Sequence, residues 1–347
     1  MKTYLTLFIV ACQSVVALAQ DNDGKAPYST KSLANDAISS VMVSTSAGGI
    51  NVSGRPGEAP RVEVYIRGNN GRELSKEEIQ KRLARDYDMN IAVNGHELSA
   101  TVKTKHNFSN WTQSLSISFK IFVPQQVATN LKTSGGGIVL DNLKGNETFS
   151  TSGGGLVIDK LSGVIRGRTS GGGIEVSNSS EDIDLSTSGG GIVAKNCTGK
   201  MKLITSGGGI ELANLKGNIV AHTSGGGVEG RNVEGELVTG TSGGGIDLKG
   251  MSCSLDASTS AGNLDVEMKQ AGKYVKLTAS SGDVNLSLPL KQGLDLSLRG
   301  ESVSQRPSKI SGFTGEWGKN RINGSVNGGG IPVEASAGSG NLNVRFN

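Results

Sequence analysis

Proline, aromatic residues and cysteine are all scarce in this sequence of 347 residues, with 7 prolines, 4% aromatics and 3 cysteines. So few aromatics leave little material for stacking against sugar rings. Lysine and arginine exceed the acidic residues by only four and are scattered, which gives no electrostatic footprint for nucleic acid. Glycine is abundant, at 52 residues, but it shows no strict three-residue period, which excludes a collagen-like chain.

The N-terminal residues are typical of a secretory signal peptide. Lys2 supplies the positive charge, Leu5 to Leu18 forms the apolar stretch, and Ala17-Leu18-Ala19 fits the cleavage rule. We therefore expect residues 1–19 to be removed on export. An alternative is a lipoprotein, with lipid on Cys12. No later apolar run is long enough to span a membrane, so no transmembrane segment is expected after the signal peptide.

The most regular feature is the phrase TSGGG followed by Ile, Leu or Val, which returns with a constant 18-residue period. Its copies begin at Thr133, Thr151, Thr169, Thr187, Thr205, Thr223 and Thr241. A fixed period of this length is typical of a solenoid. When Thr is counted as position zero, positions five and seven are apolar and position six is mixed. That alternation indicates a β-strand with one buried face.

Positions ten, fourteen and sixteen are also mostly apolar, with Glu147 as the exception at position fourteen. Each repeat therefore predicts one coil of two strands, with a corner near the asparagine of position nine and a second corner at the glycines. Stacked coils would pair their strands in parallel. The predicted fold class is all-β, a β-solenoid with 18-residue coils. Register is strict because one inserted residue would turn the inward side chains outward.

We interpret the glycines as part of the frame. They are expected to permit positive φ at a tight corner and close approach of stacked backbones. The inward Thr residues are expected to form a hydroxyl ladder, and the serines an outward polar row of the kind that can bind sugar or ice. A phosphate-binding loop is excluded because neither a helix nor Lys-Ser/Thr follows. Calcium is not implied, because no Asp stands at the β-roll spacing.

Position six carries an outward acidic row in the later coils. The row consists of Glu175, Glu211, Glu229, Asp247 and Asp265. It has the character of a cation-binding row or of the paired carboxylates of a glycosidase, but solvation of an exposed face is the simpler interpretation. The histidines, His96, His106 and His222, lie in different regions. No catalytic, metal-binding or cofactor-binding residue is predicted.

Two cysteines remain beyond the N-terminal segment. Cys197 and Cys253 lie about three coils apart in the sequence. At ~4.8 Å per coil they would be separated by roughly 14 Å along the axis, whereas a disulfide needs Cα atoms within about 7 Å. We predict two free, buried thiols, and zinc is not expected because no partner ligands stand at the right spacing.

The predicted organisation is a signal peptide (1–19), an N-terminal β region (20–130) and a glycine-rich solenoid (131–347). The repeats are strict from 133 to 258, and variant coils follow. Upstream we predict an early coil at Val41–Val52, a strand at Arg61–Arg67, a helical insertion at about 75–87 capped by Ser75 with Glu78, a hairpin around Asn94-Gly95 and a strand at Ser114–Val123. Gln305 to Asn323 is expected to loop out.

These features together resemble a known family. A strand ending in FKIFVP, the repeated TSGGGIxV coils, and the closing NGGGI and AGSGNLNV resemble the bacterial putative-adhesin family and its relative, the head GIN auto-transporter adhesin domain. The likeness spans roughly residues 38 to 347. It implies a single-stranded right-handed β-helix exported to the cell envelope, and it brings no catalytic residues with it. The helical insertion near residues 70 to 90 departs from the pattern.

Three functions follow as hypotheses. The first is a non-enzymatic envelope protein with a long regular surface for adhesion or scaffolding, placed in the periplasm, on the outer membrane surface or outside the cell. The second is a carbohydrate-binding or carbohydrate-cleaving β-helix, whose site would lie near the N-terminal insertion or the 305 to 323 segment. The third is a periplasmic accessory of an envelope signalling system. Envelope or host-surface glycans and proteins are the candidate partners.

Overall fold

The computed structural model describes residues 26–69, 73–106, 111–306 and 312–347. In these ranges the chain is a β-solenoid whose strands join into one continuous hydrogen-bonded system, with a single α-helix. That helix is too short and too polar to cross a membrane, and the described ranges contain no other candidate span. The expected signal peptide and Cys12 lie outside the described residues.

The N-terminal part supplies one coil and a set of added strands. Its elements are β1 (Ser29–Ser32), β2 (Ser40–Thr45), β3 (Ile50–Gly54), β4 (Arg61–Gly68), α1 (Lys76–Asp86), β5 (Tyr87–Asn94), β6 (Glu97–Thr104), a 3₁₀ turn (Trp111–Gln113) and β7 (Leu115–Val123). Strands β2 and β3 form the first coil and pair in parallel with the strands of the next coil. This confirms the early coil predicted from the sequence.

Strands β4 to β7, with β1 and α1, form an N-terminal cap on that first coil. Strands β6 and β7 extend its two sheets in parallel, and β5, β4 and β1 add antiparallel pairs outside them. The helix and the hairpin are confirmed. The Ser75 hydroxyl accepts a hydrogen bond from the Glu78 backbone N–H at 3.2 Å, whereas the Glu78 carboxylate pairs with Arg82 and does not complete a capping box.

The repeats stack one coil on the next, with the register unbroken as far as β19 and shifted within the pairing of β19 with β20. They form β8 (Ala128–Thr133), β9 (Ile138–Asp141), β10 (Lys144–Ser150), β11 (Leu156–Asp159), β12 (Ser162–Thr169), β13 (Ile174–Ser177), β14 (Ser180–Thr187), β15 (Ile192–Lys195), β16 (Thr198–Thr205), β17 (Ile210–His222), β18 (Val228–Thr241), β19 (Ile246–Ala261) and β20 (Leu264–Ser281). Leu156, for example, pairs with Ile138 below and Ile174 above, each exactly one repeat away in the sequence. The predicted 18-residue coil is confirmed.

The core is a set of columns along the solenoid axis. Positions five, seven, ten and fourteen are almost completely buried in the strict coils, and their side chains, apart from the polar Glu147 and Ser179, form one continuous apolar cluster. Each coil buries only one face of two short strands, so it depends on its neighbours for the rest of its core. The outward positions between these columns remain exposed or half-buried.

The C-terminal part does not stack in chain order. It consists of β21 (Val284–Leu288), β22 (Leu294–Arg299), β23 (Val303–Arg306), β24 (Phe313–Trp317), β25 (Arg321–Val326), β26 (Ile331–Ala337) and β27 (Leu342–Phe346). The last strands of the chain, β26 and β27, pair directly with β20 and β21. Strands β22 and β23 then pair on their far side. The final coil of the chain is therefore not the final layer in space.

The expected loop from Gln305 to Asn323 is corrected by this arrangement. Residues 307–311 lie outside the described ranges, but β24 and β25 form an antiparallel hairpin that continues the sheet from β22. Ile322 on β25 is fully buried, and Phe313 and Trp317 on β24 stack edge to face at 4.5 Å and pack against the core. Burial of these large side chains holds the segment as strands.

Candidate functional site

The glycine corner is built for close stacking of backbones. A Cβ on the middle glycine Gly172 would lie 2.1 Å from the carbonyl oxygen of Gly154, one coil below, a distance that real side chains do not reach. A Cβ on the first glycine, Gly171, would stay 3.4 Å from its nearest neighbour. In the variant coils Ala47 and Ala261 occupy the first position and glycine keeps the middle one, where both the close contact and a positive φ require it.

The expectation of positive φ at this corner is wrong for the strict copies, although the middle glycines of three variant coils have it: Gly48, Gly262 and Gly282, with φ of 121°, 124° and 127°. In the seven strict TSGGG copies, all of which lie in the described ranges, no glycine adopts a left-handed backbone. The expected threonine ladder is also wrong. Thr187 donates its hydroxyl at 2.7 Å to the carbonyl oxygen of Gly172, and the other strict copies repeat this bond to the middle glycine below. The hydroxyl binds the backbone because the glycine corner lacks side chains and leaves that carbonyl within reach.

The asparagine corner carries the left-handed residues instead. Asn178, Asn196, Asn214 and Asn232 all have φ between 51° and 54°, and asparagine tolerates this conformation better than most residues. Their side-chain amides form a ladder of hydrogen bonds from one coil to the next. Asn214 donates to Asn196 at 3.1 Å, and Asn232 donates to Asn214 at 3.1 Å. The corner at position nine was predicted from the sequence, whereas the ladder was not.

Four of the five acidic-row residues stand on successive coils. Glu211, Glu229, Asp247 and Asp265 are consecutive register partners, while Val193 separates Glu175 from them. Lys195 pairs with Glu211 at 3.3 Å, and Lys249 pairs with Asp247 at 2.7 Å. Both carboxylates keep more than two fifths of their side-chain surface exposed, so these pairs contribute little to stability.

The acidic row continues as an amide row that the sequence analysis missed. Asn285 follows Asp265 in register, and Asn343 follows Asn285. Asn285 donates to Asp265 at 2.6 Å, Asn343 donates to Asn285 at 2.9 Å, and Ser304 donates to Asn343 at 2.5 Å. The available signal was the pattern D-V-N-L and N-L-N-V at the matching strand positions, but the irregular steps between these coils concealed their register.

A groove of about 440 Å³ opens on this face at the C-terminal end, and we call it the polar groove. Strand β23 extends the sheet beyond β27 and places Ser304 beside the row. The outward side chains of the groove are Asp247, Lys249, Asp265, Glu267, Asn285, Ser287, Ser304, Asn343 and Arg345. They combine carboxylates, amides, hydroxyls and two cations, a set that can donate and accept hydrogen bonds along a polar ligand.

The histidine, aspartate and cysteine side chains described next lie outside the polar groove. His106 lies 3.4 Å from Asp86 at the end of α1, where the guanidinium of Arg85 lowers the pKa of that buried carboxyl. Cys197 and Cys253 are free and buried, as predicted. Burial raises the pKa of Cys253 to about 12, which keeps it a thiol. No group of three or more metal-ligating side chains occurs among residues 26–69, 73–106, 111–306 and 312–347.

Comparison with known proteins matches the chain to one family. The model of the Toastrack DUF4097 family matches residues 49–345. A solved structure of a putative cell adhesion protein from Clostridium sporogenes is similar at 11% identity and a TM-score of 0.20, over 92% of this chain and 98% of that one. A putative adhesin from Bacteroides fragilis is similar at 12% identity and a TM-score of 0.25, over 91% and 96%. Comparison with curated proteins gives no match.

Proposed function

The chain belongs to the Toastrack DUF4097 family, and we propose that it is an exported, non-enzymatic β-solenoid of the cell envelope that acts in adhesion or as a surface scaffold. The observation that carries the proposal is the continuous stacking of coils from β8 to β20, in which the coils repeat the same outward positions as far as the register shift between β19 and β20. Eight coils at ~4.8 Å give a face roughly 40 Å long.

Rigidity of this face supports a role in presentation. The threonine bonds to the glycine corner and the amide ladder of the asparagine corner lock each coil to the next. A repeated surface that does not rearrange loses little conformational entropy when it binds, which favours adhesion to an extended partner. Export is proposed from Lys2, the apolar stretch that follows and the Ala17-Leu18-Ala19 cleavage pattern.

The acidic row supports the non-enzymatic part of the proposal. A retaining or inverting glycosidase needs one carboxylic acid whose surroundings favour the protonated form. Here Lys195 and Lys249 pair with Glu211 and Asp247, and Asn285 donates to Asp265. These carboxylates lie on an exposed face and are engaged in polar pairs, which suits the row to solvation and to polar contacts.

Cell fractionation combined with protease shaving of intact native cells tests this proposal. We expect an antibody to the protein to detect it in the envelope fraction, and external protease to remove it from intact cells without releasing a periplasmic marker. Protection from protease together with release in the periplasmic fraction would exclude direct adhesion and favour the envelope-signalling accessory. Recovery in the cytoplasm would overturn the export proposal altogether.

A second candidate function, carbohydrate binding, is favoured by the polar groove. Its volume and its mixture of carboxylates, amides and hydroxyls suit the hydroxyl groups of a short glycan. The groove also lies beside the 305 to 323 segment, one of the two places where such a site is predicted from the sequence, since Ser304 directly precedes that segment. The groove has no aromatic side chain among its lining residues, so hydrogen bonds would carry the recognition.

Blocking the polar groove tests this second function. We expect Ser304→Trp to abolish binding to any glycan identified on an array, because the indole would fill the groove. Ala213→Trp is the matched control, since Ala213 lies on the same outward face of β17 but outside the groove. Equal glycan binding by both variants, or no glycan bound by the wild-type protein, would remove the carbohydrate hypothesis and leave the scaffold proposal standing.

A further inference from the structure

Glu147 is a carboxyl group inside the apolar core. It lies on β10 at position fourteen, where the next coils carry Ile165, Ile183 and Met201. Its exposed fraction is 0%, the same as that of Ile165. Charged side chains are rarely buried to this extent without a charged partner, so the residue requires a specific explanation.

Only half of this carboxyl group is satisfied. Oε2 accepts a hydrogen bond of 2.5 Å from the hydroxyl of Thr129 on β8. Oε1 is buried and has no hydrogen-bond partner within the described part of the chain. Burial raises the pKa of Glu147 to about 7, although the hydrogen bonds from Thr129 act in the opposite direction. The group therefore changes charge near neutrality.

No charged side chain faces Glu147 from the described elements around it. Its register partners are Thr129 on β8 and Ile165 on β12, and Thr129 in turn stacks on Val41 of β2. Across the core, the inward residues of β9 and β11 are apolar. They are Ile138, Leu140, Leu156 and Ile158. The ionised form would therefore have no compensating cation.

Glu147 lies at the junction between two stacked coils, those of β8 and β10. Strand β8 is where the chain returns from the N-terminal cap, and β10 begins the next coil. The segment just before β8 is held to that coil by two bonds, from the Lys144 N–H to the Gln125 carbonyl oxygen and from the Gln125 amide to Asn142. The pairing of Glu147 with Thr129 joins the coil of β8 and β9 to the coil that begins with β10. A charge there therefore acts on the attachment of β8 and β9, and of the first coil and cap stacked on them, to the rest of the solenoid.

We propose that Glu147 is a pH-sensitive latch between the N-terminal end of the solenoid, which comprises the cap, the β2–β3 coil and the β8–β9 coil, and the coils that begin with β10. When the carboxyl group is protonated, the β8–β10 junction stays closed. When it is ionised, the buried charge favours local opening of that junction, which lets water reach the carboxylate. The device would hold this N-terminal end of the solenoid more firmly under mildly acidic conditions than under alkaline ones.

The direction of this pH dependence follows from the linkage between protonation of Glu147 and opening of the junction. The pKa of Glu147 in the closed state, about 7, exceeds its ordinary value of 4.5. The closed state therefore binds the proton more tightly than the open state. The free energy by which protonation favours the closed state is fully present below pH 4.5 and is lost as pH rises to about 7. Between these values the equilibrium constant for opening should rise about tenfold per pH unit, and above them it should level off.

Hydrogen exchange on the full chain tests the latch. We expect the amides of β8 and β10 to lose protection relative to those of β16 as pH is raised from 5 to 8, because β16 belongs to the same solenoid and carries Met201 in the same column. The ratio between strands of one sample removes the intrinsic pH dependence of exchange. In Glu147→Met the ratio should be independent of pH, since methionine already fills this position in another coil.

Two further measurements keep the proposal falsifiable if Glu147→Met folds poorly. Infrared difference spectra of the wild-type protein should show loss of one protonated carboxyl band centred near pH 7, and Glu147→Gln should lack it. Glu175→Gln, on the outward face, is the control and should behave as wild type. A constant exchange ratio in the wild-type protein, a pH-dependent ratio that persists in Glu147→Met, or a carboxyl band that survives in Glu147→Gln would overturn the latch.

Discussion

The two corners of each coil turn the chain by different physical means. At the glycine corner of the strict copies no glycine has a left-handed backbone, and the absence of side chains lets one coil sit directly on the next. At the asparagine corner the backbone enters the left-handed region, and the side chains form a ladder between coils. A glycine-rich phrase therefore does not by itself indicate positive φ, because contact between stacked backbones can require it equally.

The two corners also tolerate different replacements of their glycine and asparagine residues. The glycine corner tolerates Ala, Ser, Asn or Asp at its first or third glycine, as in Ala261, Ser281, Asn263 and Asp283, but retains the middle one. The asparagine corner accepts Lys160 and Gly250 with the same sign of φ. In the strict copies one corner is constrained by the space between stacked backbones and the other by backbone conformation. Substitutions at the two corners should therefore fail for different reasons.

The largest expected effect is at the middle glycine. Gly172→Ala would place Cβ 2.1 Å from the Gly154 carbonyl oxygen, so the stacked coils must separate. We expect a loss of about 3 kcal/mol in the free energy of unfolding, at the upper end of overpacking costs. Gly171→Ala is the matched control, with its nearest contact at 3.4 Å, and should change stability by less than about 1 kcal/mol. Urea denaturation of both variants measures the difference, and equal losses would refute the stacking explanation.

A smaller effect is expected from the hydroxyl that closes the same corner. Thr187→Val keeps the shape of the side chain but removes the 2.7 Å bond to the Gly172 carbonyl oxygen. Thr187 is almost fully buried, so the acceptor would lose its partner at a cost of about 2 kcal/mol. Thr187→Ser retains the hydroxyl and should recover part of the loss. If valine and serine destabilise equally in thermal unfolding, packing rather than the hydrogen bond governs this column.

At the asparagine corner the conformational and ladder contributions can be separated. Asn196→Ala must hold alanine at a φ of 54° and also breaks the ladder, whereas Asn196→Gly breaks the ladder alone. We expect alanine to be less stable than glycine by about 1 kcal/mol. Thermal unfolding of the two variants gives this difference directly. A glycine variant as unstable as the alanine variant would assign the whole effect to the amide ladder.

Much of the fold could be predicted because the repeat encodes it locally. The alternation at positions five and seven defines the strands, and the Asn at position nine marks a corner. The partners of the Thr hydroxyl could not be predicted, because the bond runs to a backbone oxygen in the preceding coil, which no side-chain pattern records. The placement of β26 and β27 between β20–β21 and β22–β23 was equally hidden, since strand order in space depends on contacts between distant segments.

The polar groove also depends on contacts between distant segments, so only part of it could be predicted from the sequence. The acidic row was evident from the regular coils, but its continuation through Asn285 and Asn343 crosses two sequence intervals that do not match the repeat period. Ser304 reaches the groove only because β23 pairs with β27. Glu147 stood out in the sequence as an exception to its column, yet its burial and its partner Thr129 required the packed structure.

The smallest expected effect on stability is at the serine of the glycine corner. Ser170, Ser188 and Ser206 are exposed, and their side-chain hydroxyls bond to no described residue in the structure. Each Ser→Ala change should therefore shift the free energy of unfolding by no more than about 0.5 kcal/mol. A triple variant at these three serines should unfold in urea like the wild-type protein. A large loss of stability would show that the serines belong to the frame. A normally stable triple variant that no longer attaches to cells or glycans would instead identify the serine row as a contact surface, which separates the binding role of this corner from its structural one.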